Sequence, residues 1–141
     1  MFESLNNGPE TSVDGGACVV ICSDRDAVRQ IGESLAKCGT GRIVAYDKPS
    51  DLAANIPVFD VDMVVFAGEQ SPQIMHDMVN WAKRNWRNSV PVVLGNPGQR
   101  DLEIATRRAG AFYLTRPTTE YDWDMILEGV RQNRKYCLSQ K

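Results

Sequence analysis

Short runs of consecutive apolar residues alternate along this chain with longer stretches in which apolar residues return every three or four positions. The runs are 17–22 (ACVVIC), 42–46 (RIVAY), 61–67 (VDMVVFA), 91–94 (PVVL) and 111–115 (AFYLT). Runs of this length read as strands buried on both faces. Between them, 26–38 carries Val28, Ile31, Leu35 and Cys38 at helical spacing, and Gly39 and Gly41 bracket its stop. Ser50 is placed to cap a short helix through Asn55 bearing Leu52, Ala53 and Ile56. A longer helix is predicted over 72–85, with Pro72 in its first turn. There Ile74, Met78 and Trp81, beside Met75, Val79 and Ala82, make a broad face expected to be buried. Residues 99–109 form a helix with a thin stripe of Leu102, Ala105 and Ala109. The last helix begins after Pro117, with Thr119 and Asp122 spaced as a capping box and Trp123, Ile126, Leu127 and Val130 as its core stripe.

Five strands alternating with five helices predict an α/β fold, a parallel sheet covered on both faces. Right-handed crossovers favour a doubly wound three-layer sandwich; the strand order 2-1-3-4-5 is one common solution, which periodicity alone does not select. Residues 1–16, rich in Asn, Gly, Glu, Asp and Ser, read as an N-terminal arm. The domain is expected over 17–132, and 133–141 as a basic extension of the last helix or a linker.

Composition narrows the function. The chain has 141 residues, about one domain, and 43% are apolar, enough for a core. A net charge of −2 argues against a general nucleic-acid or membrane-surface binder. No apolar stretch is long enough to span a bilayer and the N-terminus lacks a secretory pattern, so the cytoplasm is the expected location. Cys18, Cys22, Cys38 and Cys137 read as free thiols; with His76 the only histidine, no zinc-ligand set is apparent. Phosphate-cradle and nucleophile-elbow motifs are absent, and His76, on the long helix beside Asp77, reads as a solvated residue. No catalytic residue, metal or cofactor is therefore assigned.

Ligands of an open parallel sheet sit at the carboxyl ends of its strands. Here those ends are Cys22-Ser23-Asp24-Arg25, Ala67-Gly68-Glu69, Gly95-Asn96-Pro97 and Thr115-Arg116-Pro117. At these loops residues 17–132 resemble a response-regulator receiver domain, a CheY-like member of two-component signalling. Val19-Val20-Ile21-Cys22-Ser23-Asp24 is similar to the family's first strand, which ends in two magnesium-holding acids; Ser23 replaces one of them. Asp62-Met63-Val64-Val65-Phe66-Ala67 resembles the third strand, with Ala67 where the phospho-accepting aspartate is expected. Ala109 to Pro117 resembles the fifth strand and its Lys-Pro ending, with Arg116 for the lysine. By the same resemblance Pro117 is a cis-proline candidate, Tyr113 the switching aromatic, and Asn96 or Gly95 the fourth-strand hydroxyl position.

These departures imply a degenerate phosphorylation pocket of Ser23, Asp24, Ala67, Asn96 and Arg116, since phosphoryl transfer needs a carboxylate nucleophile and a hard cation. An Asp24–Arg116 ion pair is expected to fill it. Function then passes to surfaces: a protein partner or a homodimer through the face of the fourth helix, fifth strand and fifth helix. That face is expected to present Arg100, Asp101, Arg107, Arg108, Tyr113, Tyr121 and Asp124. A fused transcriptional output domain is a further expectation of the resemblance, as in some sigma-54-dependent flagellar regulators; no direct nucleic-acid or membrane contact is expected. Two alternatives stay open: a phosphorelay receiver with Glu69 or Ser23 as acceptor, and a small flavodoxin-like domain holding an anion or other ligand among Ser23, Asp24, Asn96, Thr115 and Arg116.

Overall fold

The computed structural model describes residues 17–38, 42–54, 60–67 and 71–139. In chain order its elements are β1 (Ala17–Ile21), α1 (Arg25–Lys37), β2 (Ile43–Tyr46), α2 (Pro49–Ala54), β3 (Val61–Ala67), α3 (Pro72–Asn85), β4 (Val90–Gly95), α4 (Arg100–Arg108), β5 (Phe112–Thr115) and α5 (Glu120–Ser139). The five strands are parallel and lie in the order β2-β1-β3-β4-β5, so β5 is an edge strand and the order reverses at β1. The expected sheet is the one found.

The pleat divides the core. Cys18, Val20, Met63, Val65, Val92 and Leu94 point to one side, where Val28, Ile31 and Leu35 of α1 and Trp123, Ile126, Leu127 and Val130 of α5 cover them. Val19, Ile21, Val64, Phe66 and Val93 point to the other, against Met75, Val79 and Ala82 of α3 and Leu102 of α4. A register shift where Ala17 and Cys18 meet β3 inserts one residue there, turning Val61 to the α3 side with Val64 and Phe66. Burying one such side chain contributes roughly 1.5–3 kcal/mol, so this inside-outside division holds the layers in register.

Local chemistry sets the helix ends. Ser71 caps α3, its Oγ accepting from the Ile74 N–H at 3.2 Å, and Pro72 occupies the first turn. Thr119 and Asp122 form the expected capping box: Thr119 N–H donates to Asp122 Oδ2 at 2.9 Å and Asp122 N–H to Thr119 Oγ1 at 3.2 Å. The α4 C-terminus closes as a Schellman turn, with Ala111 N–H donating to the Thr106 carbonyl and Gly110 N–H to that of Arg107; Gly110 supplies the left-handed residue at φ 86°.

Three expectations are corrected. Helix α2 begins at Pro49, so Ser50 lies inside it rather than capping it; proline's fixed φ suits the first helical position. Its expected continuation through Asn55 and Ile56, like the glycine stop at Gly39 and Gly41, lies outside the described residues. In α4 the buried stripe is Leu102, Thr106 and Ala109, with Ala105 only half-buried. Finally, α3 buries Met75, Val79 and Ala82, whereas Ile74 is 49% exposed and Met78 and Trp81 are half-buried. The neighbouring helix α2 has six residues against fourteen in α3, and its Ser50 lines a groove with Ile74, Met78 and Trp81.

Candidate functional site

The carboxyl ends of β1, β3, β4 and β5 form one ledge beside the point where strand order reverses. Ala67, the last residue of β3, is buried and pairs with Leu94, which pairs in turn with Leu114; one step higher, Gly95 pairs with Thr115. The Arg116 N–H donates to the Gly95 carbonyl at 2.9 Å, drawing the segment after β5 against the end of β4. The Arg116–Pro117 peptide bond is cis. Ser23 and Asp24 are exposed, Asn96 and Arg116 half-buried. The strand ends thus bring Ser23, Asp24, Ala67, Asn96 and Arg116 to one edge of the sheet; Glu69 lies outside the described residues.

The expected Asp24–Arg116 ion pair is not formed. Asp24 is the N-cap of α1, and its Oδ1 accepts from the Asp26 N–H at 2.9 Å and the Ala27 N–H at 3.3 Å. Two backbone donors at a positive helix end hold this carboxylate more cheaply than a side chain that must be ordered to reach it. The same geometry bears on a hard divalent cation, which needs about six oxygen ligands, several of them carboxylate. Asp24 supplies one carboxylate already engaged by α1, Ala67 supplies a methyl group, and no cluster of three His, Cys, Asp or Glu suited to a metal occurs among the described residues. The described donors do not fit such an ion.

Tyr113 behaves differently from its expected place on the interface. It is 8% exposed, on the α3–α4 side of the sheet, with its phenol laid across Gly95; a methyl group at Gly95 would overlap the ring. Burial raises the phenol pKa, the nearby Glu103 adds to this, and Arg107 partly offsets it. The pleat explains the correction: alternate residues of β5 face opposite ways, so burying Tyr113 turns Phe112 and Leu114 to the other side.

Of the residues expected on the surface beside β5, Arg100, Asp101, Arg107, Arg108, Tyr121 and Asp124 are exposed and Tyr113 alone turns inward. Arg107 and Arg108 are exposed, and Arg107 is held by Glu103 at 3.1 Å, one turn earlier on α4. Tyr121 is 69% exposed. Sequence reasoning missed Phe112, 43% exposed, and Met125, 58% exposed. Tyr121, Met125 and Gly129 follow one another at four-residue spacing along α5, and a methyl at Gly129 would touch Phe112 Cζ at 3.7 Å. The result is an apolar ridge running from α5 onto the edge strand. Met125, offset from the stripe of Trp123, Ile126, Leu127 and Val130, was the available sign of it.

The remaining candidates are structural. Cys18 and Cys22 are buried and Cys38 half-buried, all free thiols; the Cys137 side chain lies outside the described residues. His76, half-buried, lies beside Asp77 (Nδ1–Oδ1 3.8 Å) and Asn80 on the surface of α3. No described helix is long and apolar enough to cross a membrane.

Comparison with solved structures places this architecture. A response-regulator receiver domain from Clostridium thermocellum superposes with a TM-score of 0.71 at 17% identity, covering 86% of this chain and 98% of the other. An adenylate cyclase structure from Rhodopirellula baltica gives 0.71 at 11% identity, covering 88% and 93%. The chemotaxis protein CheY4 of Vibrio cholerae gives 0.66 at 10% identity, covering 82% and 98%. No protein-family model matches the chain, and no curated protein matches it in sequence. The fold is that of CheY-like receivers; at these identities the likeness extends to the fold alone.

Proposed function

We propose that this domain is a regulatory module of two-component-type signalling that works without phosphorylation of an aspartate, by binding a second copy of itself or another protein. One observation carries the reading: the last residue of β3, at the centre of the ledge where a receiver of this fold is phosphorylated, is Ala67. A methyl group offers no nucleophile. The commitment of Asp24 to the α1 N-terminus supports the same reading, because it leaves no carboxylate pair for the cation that phosphoryl transfer needs. In this reading the domain is not an enzyme, and its working surface is the α4–β5–α5 face.

The ridge of Phe112, Tyr121 and Met125 supports an interaction role there. Exposed aromatic and Met side chains beside charged residues suit the centre and rim of a protein interface. A transcriptional output domain joined to this one is compatible with the reading and adds nothing the ridge requires.

The test is intact mass after incubation with magnesium and acetyl phosphate, beside a phosphorylatable receiver as control. No added phosphoryl mass is the expected result. A stable single adduct refutes the proposal, and one mapping to Ser23 or Glu69 replaces it with a phosphorelay receiver of unusual acceptor. Sedimentation equilibrium then examines the surface: Phe112→Glu and Met125→Glu are each expected to weaken self-association, or capture of the partner, by tenfold or more, given about 1.4 kcal/mol per tenfold. Unchanged association in both variants moves the interface elsewhere.

A further inference from the structure

Between α2 and α3 lies a groove of about 440 Å³ lined by Ile21, Phe66, Ile74, Met78 and Trp81, with Ser50, Asp77 and Arg84 among its walls. Three of the apolar residues, Ile74, Met78 and Trp81, recur at helical spacing, a stripe the sequence carries as if for burial. Ile21 and Phe66 bring its upper end beneath the ledge, while the ridge beside β5 shares none of its lining residues. What covers it follows from where the chain enters the sheet.

Helices of a doubly wound fold run opposite to the strands. Helix α3 therefore starts at the carboxyl edge and descends about 21 Å, fourteen residues at about 1.5 Å each, to the amino edge. Arg84, next to last in α3, and Trp81, one turn before it, lie toward the amino edge. Strand β1 begins at that same edge, where Ala17 pairs with Val61 and its N–H donates to the Asp60 carbonyl at 2.9 Å. Ala17 shares the pleat side of Val19 and Ile21, both packed against the α3 layer. The sixteen residues before Ala17 thus join the domain beside the lower mouth of the groove. Ten helical positions separate Arg84 from Ile74, about 15 Å, which five extended residues at about 3.3 Å each can cover.

The order of residues in that arm matches the order of the groove. Nearest the domain in sequence are Asp14, Val13 and Glu10, and at the C-terminal end of α3 Arg84 and Arg87 are exposed. Farther out in sequence are the apolar residues Leu5 and Phe2. The first sixteen residues contain Glu3, Glu10 and Asp14 and neither Lys nor Arg. An arm laid along the groove in this direction would set acids beside cations at the mouth and apolar residues against apolar walls beyond it.

We propose that the α2–α3 groove is the docking site of the chain's own N-terminal arm, with Phe2 and Leu5 on the Ile74–Met78–Trp81 stripe and Glu10 and Asp14 beside Arg84 and Arg87. The groove is then an intramolecular device: a partner that takes up the arm uncovers α3, and one that binds α3 displaces the arm.

Methyl NMR of the full chain tests this. The Met78 ε-methyl is expected to show contacts with Phe2 or Leu5 that persist on dilution. The double variant Phe2→Ser/Leu5→Ser is expected to shift the Ile74 and Met78 methyl resonances and leave Leu127, on the opposite side of the sheet, unmoved. Arg84→Glu is expected to weaken the same contacts. From the groove side, Ile74→Glu, at an exposed position, is expected to abolish them. Identical Ile74 and Met78 resonances in parent and double variant overturn the proposal. So do contacts that vanish on dilution, which identify a second copy as occupant, and contacts to 55–59 or 68–70 in place of the arm.

Discussion

Replacing Gly95 with Ala probes the tightest contact at the ledge. Gly95 ends β4, its φ is not positive, and an alanine there meets no backbone penalty; in a strand Ala is favoured over Gly by roughly 0.5–1 kcal/mol. The added methyl, however, falls on the phenol of Tyr113, which is buried across that residue. Two responses are available. If the ring stays, overpacking costs about 1–3 kcal/mol. If it swings to solvent, the lost burial costs about 1.5–3 kcal/mol. Either way Gly95→Ala is expected to destabilise by about 1–3 kcal/mol. In a Tyr113→Ala background the obstacle is gone, and the same substitution is expected to stabilise by about 0.5–1 kcal/mol. Urea unfolding of the four proteins in this cycle, followed by far-UV circular dichroism, gives the coupling, expected at roughly 1.5–4 kcal/mol. Near-UV spectra tell whether the ring has moved out. Gly95→Ala within about 0.5 kcal/mol of the parent, with Tyr113 undisturbed, refutes the inward placement of the ring.

Three further outcomes follow from named groups. Thr106 is fully buried and its Oγ1 has no hydrogen-bond partner, so Thr106→Val is expected to raise stability by about 1 kcal/mol, read by the same urea titration. Asp24→Ala is expected to cost about 1 kcal/mol through loss of the α1 cap, whereas Asp24→Asn, which keeps a capping oxygen, is expected to cost a few tenths at about the level of a conservative cap exchange. Burial holds the Cys38 thiol up to about 11 against an ordinary 9.0, with Asp124 and Glu120 adding to the rise and Arg131 opposing it; Tyr113 and Tyr46 are raised mainly by burial. Groups raised in the folded state lose their protons first in the unfolded one. The Cys38 contribution is therefore complete below pH 9.0 and is lost as pH rises through about 11; Cys38→Ser is expected to flatten that decline in thermal melts taken across the window.

Much of the fold was legible because its signals are local. The span of β3 and that of α3 follow from one unbroken apolar run and one helical period, and the capping box of Thr119 and Asp122 reads directly from spacing. The strand ends that form the ledge are likewise fixed once the runs are placed, which is why Ser23, Asp24, Ala67, Asn96 and Arg116 could be named together. Misreadings arose where a residue's fate depends on its neighbours in space. Ile74, Met78 and Trp81 carry the period of a buried stripe, but period says nothing of the groove they line with a six-residue α2. Tyr113 and Phe112 are adjacent aromatics in one apolar run, and only the placement of α4 and α5 on opposite faces of the sheet decides which is buried. Asp24 was assigned to Arg116 on charge, while the amides of α1 lay closer.

By itself, then, the sequence determined the number, kind and order of the elements, the covered parallel sheet, and the absence of a carboxylate at the end of β3. Each depends on side-chain identity and near-neighbour spacing, which the chain carries in one dimension. The tertiary structure decided the strand order, the inward turn of Tyr113, the capping role of Asp24, the ridge beside β5 and the groove beside α3. Those depend on which surfaces meet and on what is left uncovered when they do, and packing settles that in three dimensions.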